Sequence, residues 1–156
     1  MALSRFQAQI KWGGADFWTS TTANEVKPSD AYVFDSSDVA AMLTLSLSTT
    51  GTQAAGDFAD FYILWYTGTG VKGADGTGTY KEGGTLNTKD DVDHSQFLCR
   101  LDNIDANSPG INPAQRTIPI PVAAPSFAVY VKFSANAATA TRRQTTWCTL
   151  ATQRAA

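Results

Sequence analysis

Phe6, Ala8 and Ile10 alternate with Gln7, Gln9 and Lys11. That is the period of two expected of a strand with one buried face. Gly13-Gly14 marks its end. Pro28-Ser29-Asp30 leads into a short strand over residues 31–35. Ser36-Ser37-Asp38 ahead of Val39 then reads either as an N-capped helical turn or as a tight turn. Leu43, Leu45 and Leu47 alternate with Thr44, Ser46 and Ser48, a half-buried antiparallel strand closed by Thr49-Thr50-Gly51. Phe61, Ile63 and Trp65 share one parity, and Tyr62, Leu64 and Tyr66 the other. A strand apolar on both faces is either packed on two sides within the chain or set against a partner chain.

Residues 68–93 break this rhythm. They hold Gly68, Gly70, Gly73, Gly76, Gly78, Gly83 and Gly84 with few large aliphatics, and predict one long Gly-rich loop of the kind that carries function or disorder. Strand alternation resumes with Phe97, Cys99 and Leu101 on one face. After the turn cluster Asn107-Ser108-Pro109-Gly110, Ile118, Ile120 and Val122 alternate with Pro119 and Pro121. Proline donates no ladder hydrogen bond, so this segment is an edge strand or an extended arm. Phe127, Val129, Val131 and Phe133 form the next apolar face. A last strand over residues 141–152 puts Cys148 and Leu150 on one side and Trp147 and Thr149 on the other. The expectation is an all-β protein: an antiparallel β-sandwich, jelly-roll-like or Ig-like, of seven to eight strands. Residues 1–28 would supply an N-terminal strand and arm, and 29–156 the sandwich, as a single domain overall.

Composition narrows the class. The 156 residues contain 12 Asp but 2 Glu, with 20 Thr and 11 Ser, a turn-and-strand composition that argues against a helical bundle. Charged residues are 17% of the chain, below the roughly 25% usual for soluble proteins. A net charge of -2 with scattered Lys and Arg gives no footprint for nucleic acid and no polybasic run for a membrane. The start of the chain lacks the apolar core of a signal peptide, so Cys99 and Cys148 are expected as free cytoplasmic thiols. A disulfide is the alternative if their strands face each other.

Candidate chemistry is sparse. His94, the single histidine, stands in no Gly-x-Ser-x-Gly context. Asp90, Asp91, Asp93 and His94 form the one dense acidic cluster and the weak metal candidates; they lack the spacing of a helix–loop–helix calcium site and suit a solvated loop end. Asp57 and Asp60 are explained as strand-start residues rather than a glycosidase pair. The glycines after Gly68 lack the Lys-Ser/Thr sequel of a phosphate loop. No enzyme, cofactor or metal is therefore expected. The aromatics Trp12, Phe17, Trp18, Trp65 and Tyr66, with Ile118 and Ile120, are the candidates for a partner interface, and exposed rings among them for sugar stacking.

The succession Asp60-Phe61-Tyr62-Ile63-Leu64-Trp65-Tyr66, Phe97-Leu98-Cys99-Arg100-Leu101-Asp102, Arg116-Thr117-Ile118-Pro119-Ile120-Pro121-Val122 and Phe127-Ala128-Val129-Tyr130-Val131 resembles small virion proteins of tailed bacteriophages. The resemblance implies an all-β component of the phage particle, closest to capsid decoration or cement proteins that clamp neighbouring coat subunits. It implies the major capsid protein as partner, a homo-oligomer with a trimer favoured, and a place on the capsid surface after assembly in the bacterial host cytoplasm. A carbohydrate-binding module or a tail or neck component is the alternative.

Overall fold

The computed structural model describes residues 2–19, 26–50, 58–66, 96–102, 114–122, 125–133 and 143–155. Ten strands follow in order: β1 (Leu3–Ile10), β2 (Trp18–Thr19), β3 (Val26–Pro28), β4 (Tyr32–Val33), β5 (Asp38–Thr50), β6 (Phe58–Tyr66), β7 (Gln96–Asp102), β8 (Ala114–Ile120), β9 (Ser126–Phe133) and β10 (Arg143–Ala155). They build two antiparallel sheets. The first has the order β1-β10-β5-β8, with β2 continuing alongside β10; the second has β3-β9-β6-β7, with β4 continuing alongside β9. Counting β3 and β4 as one interrupted strand and setting β2 aside, this is the eight-strand order of a jelly roll. The Gly-rich stretch 68–93 lies outside the described residues.

Alternation explains the core. Leu43, Leu45 and Leu47 of β5 sit opposite Leu150, Cys148 and Thr146 of β10, and all are buried. Phe61 and Ile63 of β6 sit opposite Val131 and Val129 of β9, also buried. These faces meet between the sheets in one cluster. Phe127 anchors one end of it, with ring centroids 5.3 Å from Phe34 and 5.7 Å from Tyr32 and Trp65. Two buried polar side chains are bonded there: Thr146 Oγ1 donates to the Ser46 carbonyl of the same sheet at 2.9 Å, and Gln144 Nε2 to the Phe58 carbonyl of the other sheet at 3.2 Å. Unbonded, such groups would each cost about 1–3 kcal/mol.

The second face of β6 is also covered within the chain. Leu64 packs with Ala128 and Tyr130 in a separate buried cluster, so of the two explanations for its apolar parity, two-sided packing is the one seen. Pro119 lies on β8, the edge strand of the first sheet, where a missing N–H is tolerated. Pro28 ends the edge strand β3, and Ser29 takes over the ladder. Its N–H donates to the Val129 carbonyl at 2.8 Å, and its hydroxyl accepts the Val129 N–H at 2.9 Å.

One open alternative is decided in favour of the tight turn, and one local expectation is corrected. Residues 36–42 form no helical turn. Asp35 accepts from the Ser37 N–H at 2.9 Å, Asp38 Oδ2 accepts from the Asp35 N–H at 2.8 Å, and the chain goes straight into β5. Phe97 does not share the face of Cys99 and Leu101. The β6–β7 register shifts between Phe61 and Tyr62, where Cys99 gives way to Phe97 as partner. The extra residue, Leu98, packs on the core, and Phe97 is turned out against Tyr62 with rings 5.5 Å apart. A bulge reverses parity beyond it.

The N-terminal strand is tied in at both ends. β1 pairs with β10 from Leu3↔Ala155 to Ile10↔Cys148. The following turn closes with Trp12 and Ala15 exchanging backbone hydrogen bonds at 2.8 and 3.1 Å. Gly13 and Gly14 have φ of 59° and 82°, the two positive values that a type I′ turn demands and that glycine supplies without a Cβ clash. The Asp30 carboxylate accepts both their N–H groups at 2.9 and 2.8 Å.

At the other end of the sandwich Asp38, buried at 7% exposure, accepts from Arg154 Nε at 2.8 Å. Burial acts to raise its pKa, but the hydrogen bonds from Arg154 and the Asp35 N–H outweigh that and hold it below the usual carboxylate range. A carboxylate depressed in the folded state adds stability that is complete above its unfolded pKa, about 3.9, and is lost as the pH falls through the folded value.

Two outcomes follow. Phe127→Ala lowers unfolding free energy by about 3–5 kcal/mol in chemical denaturation, while Thr149→Ala on the exposed face stays within about 0.5 kcal/mol. Asp38→Asn lowers stability at neutral pH and flattens the loss below about pH 4, measured as denaturation midpoints across an acid titration.

Candidate functional site

Strand parity that sends Leu43, Leu45, Cys148 and Leu150 inward sends the intervening residues to the outer face of the first sheet. By register, Gln7 and Gln9 of β1 lie beside Ala151 and Thr149 of β10. Those lie beside Met42 and Thr44 of β5, and those beside Pro119 and Thr117 of β8. Thr44 and Thr117 share a hydroxyl hydrogen bond at 2.9 Å. Of the side chains described, Arg5 is the one charged group that β1, β5, β8 and β10 place on this face. The face is thus a broad surface of amide, hydroxyl and small apolar groups.

It is not flat. At one end Gln9, Asp16, Phe17, Thr19, Thr145 and Trp147 line a hollow of ≈ 390 Å³. At the centre a smaller one of ≈ 280 Å³ lies between Gln7, Gln9, Thr44 and Thr149. At the far end one of ≈ 460 Å³ is bounded by Arg5, Phe6, Met42, Pro119 and Gln153. The far end carries the exposed apolar groups: Met42, 49% exposed on this face, and Phe6, 40% exposed at the sheet edge on the inward parity of β1, line the hollow, and Leu3 and Val39 of the same two strands are 53% and 55% exposed. Val39 is the extra residue where the β5–β10 register shifts. The Arg154 guanidinium lies 4.0 Å over the Phe6 ring.

The ionisable groups elsewhere are spent on structure. Asp60 and Arg100, opposite each other on β6 and β7, form a two-pronged pair at 2.7 and 2.8 Å, with the guanidinium over the Phe58 ring. Both cysteines are free and buried. Burial is the main cause that raises the pKa of each thiol, Cys148 well above its ordinary value, and a protonated buried thiol is a poor nucleophile. Among the described residues no group of three or more His, Cys, Asp or Glu is placed to hold a metal. Asp90, Asp91, Asp93 and His94 lie outside the described residues, as does Asp57.

The residues expected at an interface divide sharply. Trp12 and Ile120 are buried in the inter-sheet core, and Trp18, Trp65 and Ile118 pack against it; their apolar surface is spent on folding. Lys27 Nζ lies 4.1 Å over the Trp18 ring, and Trp65 Nε1 donates to Gln96 Oε1 at 3.4 Å. Tyr66 pairs with Ser126 through its backbone, and its side chain is outside the described residues. Phe17, at 56% exposure, is the aromatic of that set that reaches solvent, and it lines the outer-face hollow. Sequence reasoning did not assemble Trp147, Gln9, Met42 and Pro119 into one surface. The signal was present in the alternation of Gln7/Gln9, Met42/Thr44 and Trp147/Thr149 with core residues, but joining them requires the order of the strands.

No family model matches the chain, and no curated protein matches it. Among solved structures it is similar to the VP2 subviral particle of infectious bursal disease virus, with TM-score 0.47, 11% identity, and cover of 97% of this chain and 32% of that one. The heated full particle of Israeli acute paralysis virus gives TM-score 0.45, 6% identity, and cover of 96% and 71%. The CBM36-1 domain of a multidomain xylanase from the hindgut metagenome of Trinervitermes trinervoides gives TM-score 0.41, 11% identity, and cover of 98% and 99%. The chain thus spans about a third of the VP2 protein, and the jelly-roll assignment rests on its own strand pairing.

Proposed function

We propose that this chain is a non-enzymatic virion structural protein, of the capsid decoration type, that seats on an assembled coat and stabilises it. The observation that carries the proposal is the far end of the first sheet's outer face, where Met42, 49% exposed, and Phe6, 40% exposed at the sheet edge, line one hollow with Pro119 and Ala151. Contiguous exposed apolar surface on a soluble domain marks an interaction site. Strand backbones hold it rigid, so little ordering entropy is lost on docking. The jelly roll itself is used by capsid and lectin domains, which supports the class by analogy of fold alone.

The partner in this proposal is the major capsid protein, and the location is the virion. A trimer draws no support from β6, because the second face of that strand is already buried inside one chain. The ion pairs Asp38–Arg154 and Asp60–Arg100 are internal to the fold, and at the docking end Arg5 is the charged residue beside the apolar groups.

Purified expanded capsids of the parent phage, stripped of this protein, are the binding target. Met42→Asp places a charge in the contact and weakens binding at least about tenfold. Phe97→Asp, at an equally exposed apolar position on the other sheet, leaves it unchanged. Unaltered binding by the Met42 variant, or no binding of the parent protein, contradicts the proposal.

A further inference from the structure

We infer that the hollow at the opposite end of the same face, lined by Phe17 and Trp147, is a binding site for a neutral pyranose: a terminal sugar or a disaccharide. This site is separate from the apolar end assigned to coat docking and does not depend on that assignment.

The hollow exists because of how the N-terminal strands are joined. β1 pairs with β10 as far as Ile10↔Cys148. The chain then turns at Gly13-Gly14 and returns as β2, whose pairing with β10 starts at Trp18↔Thr146. Trp147 is the β10 residue between these two ladders and pairs with neither. By parity it faces outward, and it lines one depression with Gln9 of β1, Thr19 of β2 and Phe17. Two aromatic side chains therefore share one open depression, and Phe17 is exposed.

The polar groups around them suit sugar hydroxyls. Thr19 Oγ1 and Thr145 Oγ1 are 2.8 Å apart, so one hydroxyl proton is used between them and the other remains to donate. Gln9 Nε2 donates to the Cys148 carbonyl at 2.8 Å and the Asp16 carbonyl at 3.1 Å. Both amide protons are thereby engaged, the side chain is fixed, and its Oε1 is left as an acceptor. Asp16 Oδ1 accepts from Lys11 Nζ at 2.7 Å, which holds the carboxylate at the rim with its second oxygen able to accept. A pyranose presents an apolar C–H face that stacks on an aromatic ring and a girdle of hydroxyls that meets such donors and acceptors.

Charge selects within that class. Among the described lining residues the one ionised group is Asp16, already paired with Lys11 Nζ at 2.7 Å, so the rim offers an anionic sugar no unpaired cation, whereas a neutral one can supply hydroxyl protons to the carboxylate. The volume, near the lower bound of small-molecule sites, fits a chain end better than a polymer.

The test titrates the full chain with methyl glycosides of glucose, galactose, mannose and N-acetylglucosamine, and with glucuronic and sialic acid as anionic probes. The readout is the Trp147 indole N–H resonance. At least one neutral glycoside shifts that resonance saturably, and the anionic probes do not. Phe17→Ala and Asp16→Ala, both at exposed positions, each weaken binding about tenfold or more with the melting temperature unchanged and capsid binding intact. Three results overturn the inference: no saturable shift with any neutral glycoside, a preference for the anionic probes, or binding untouched by both variants. A concentration-dependent shift without sugar assigns the hollow to self-association and overturns it equally.

Discussion

Everything in this molecule hangs on the register between β10 and β5. The ladder runs from Arg143↔Thr50 to Arg154↔Asp38. Because side chains alternate, that single alignment decides which residues enter the core and which reach solvent. It places Leu43, Leu45, Cys148 and Leu150 against the second sheet, and Met42, Thr44, Trp147 and Ala151 on the opposite face. A slip of one residue would put Trp147 into the core and Cys148 and Leu150 into water. Core packing opposes such a slip, at roughly 1.5–3 kcal/mol for each large apolar side chain buried. The outer face is therefore as precisely defined as the core, although it makes no core contacts. The Asp38–Arg154 pair lies where the register shifts by one residue and fixes the end of the ladder.

Much of this was legible along the chain. The parity of Leu43/Leu45/Leu47, Phe127/Val129/Val131 and Cys148/Leu150 is visible in the sequence because half-buried strands impose it, and Pro119 marked the edge strand because proline cannot donate to a ladder. Phe97 was misplaced because a bulge reverses parity without any local signature in Phe97-Leu98-Cys99. Residues 36–42 admitted a helical turn because Ser and Asp cap helices and tight turns alike; the reciprocal Asp35 and Asp38 bonds settle which.

The aromatics were the least legible. Trp12 and Trp18 flank a Gly-Gly turn, a setting that suggests exposure, yet the turn folds the chain back so that Trp12 enters the core and Trp18 packs on it. Phe17, one residue before Trp18, takes the other parity and is exposed. Which ring faces out depends on β2 meeting β10 at Thr145 and Thr146, a contact between residues more than a hundred positions apart. Non-local pairing of that kind is not encoded in any window of the sequence. It is also what joins Phe17 to Trp147 and Met42 to Pro119.

The outer face of the first sheet is nearly without charge, and its two ends differ: aliphatic around Met42, aromatic and hydroxylic around Trp147. The second sheet's outer side holds the buried cluster of Leu64, Ala128 and Tyr130 and the Asp60–Arg100 pair. Under the proposed function the first sheet is the working surface and the second a structural one. Hydroxyl-radical footprinting of the protein, free and on expanded capsids, tests this most directly through two residues of similar exposure. Oxidation of Met42 falls on binding while that of Phe97 is unchanged; protection of Phe97 with Met42 still reactive would contradict it.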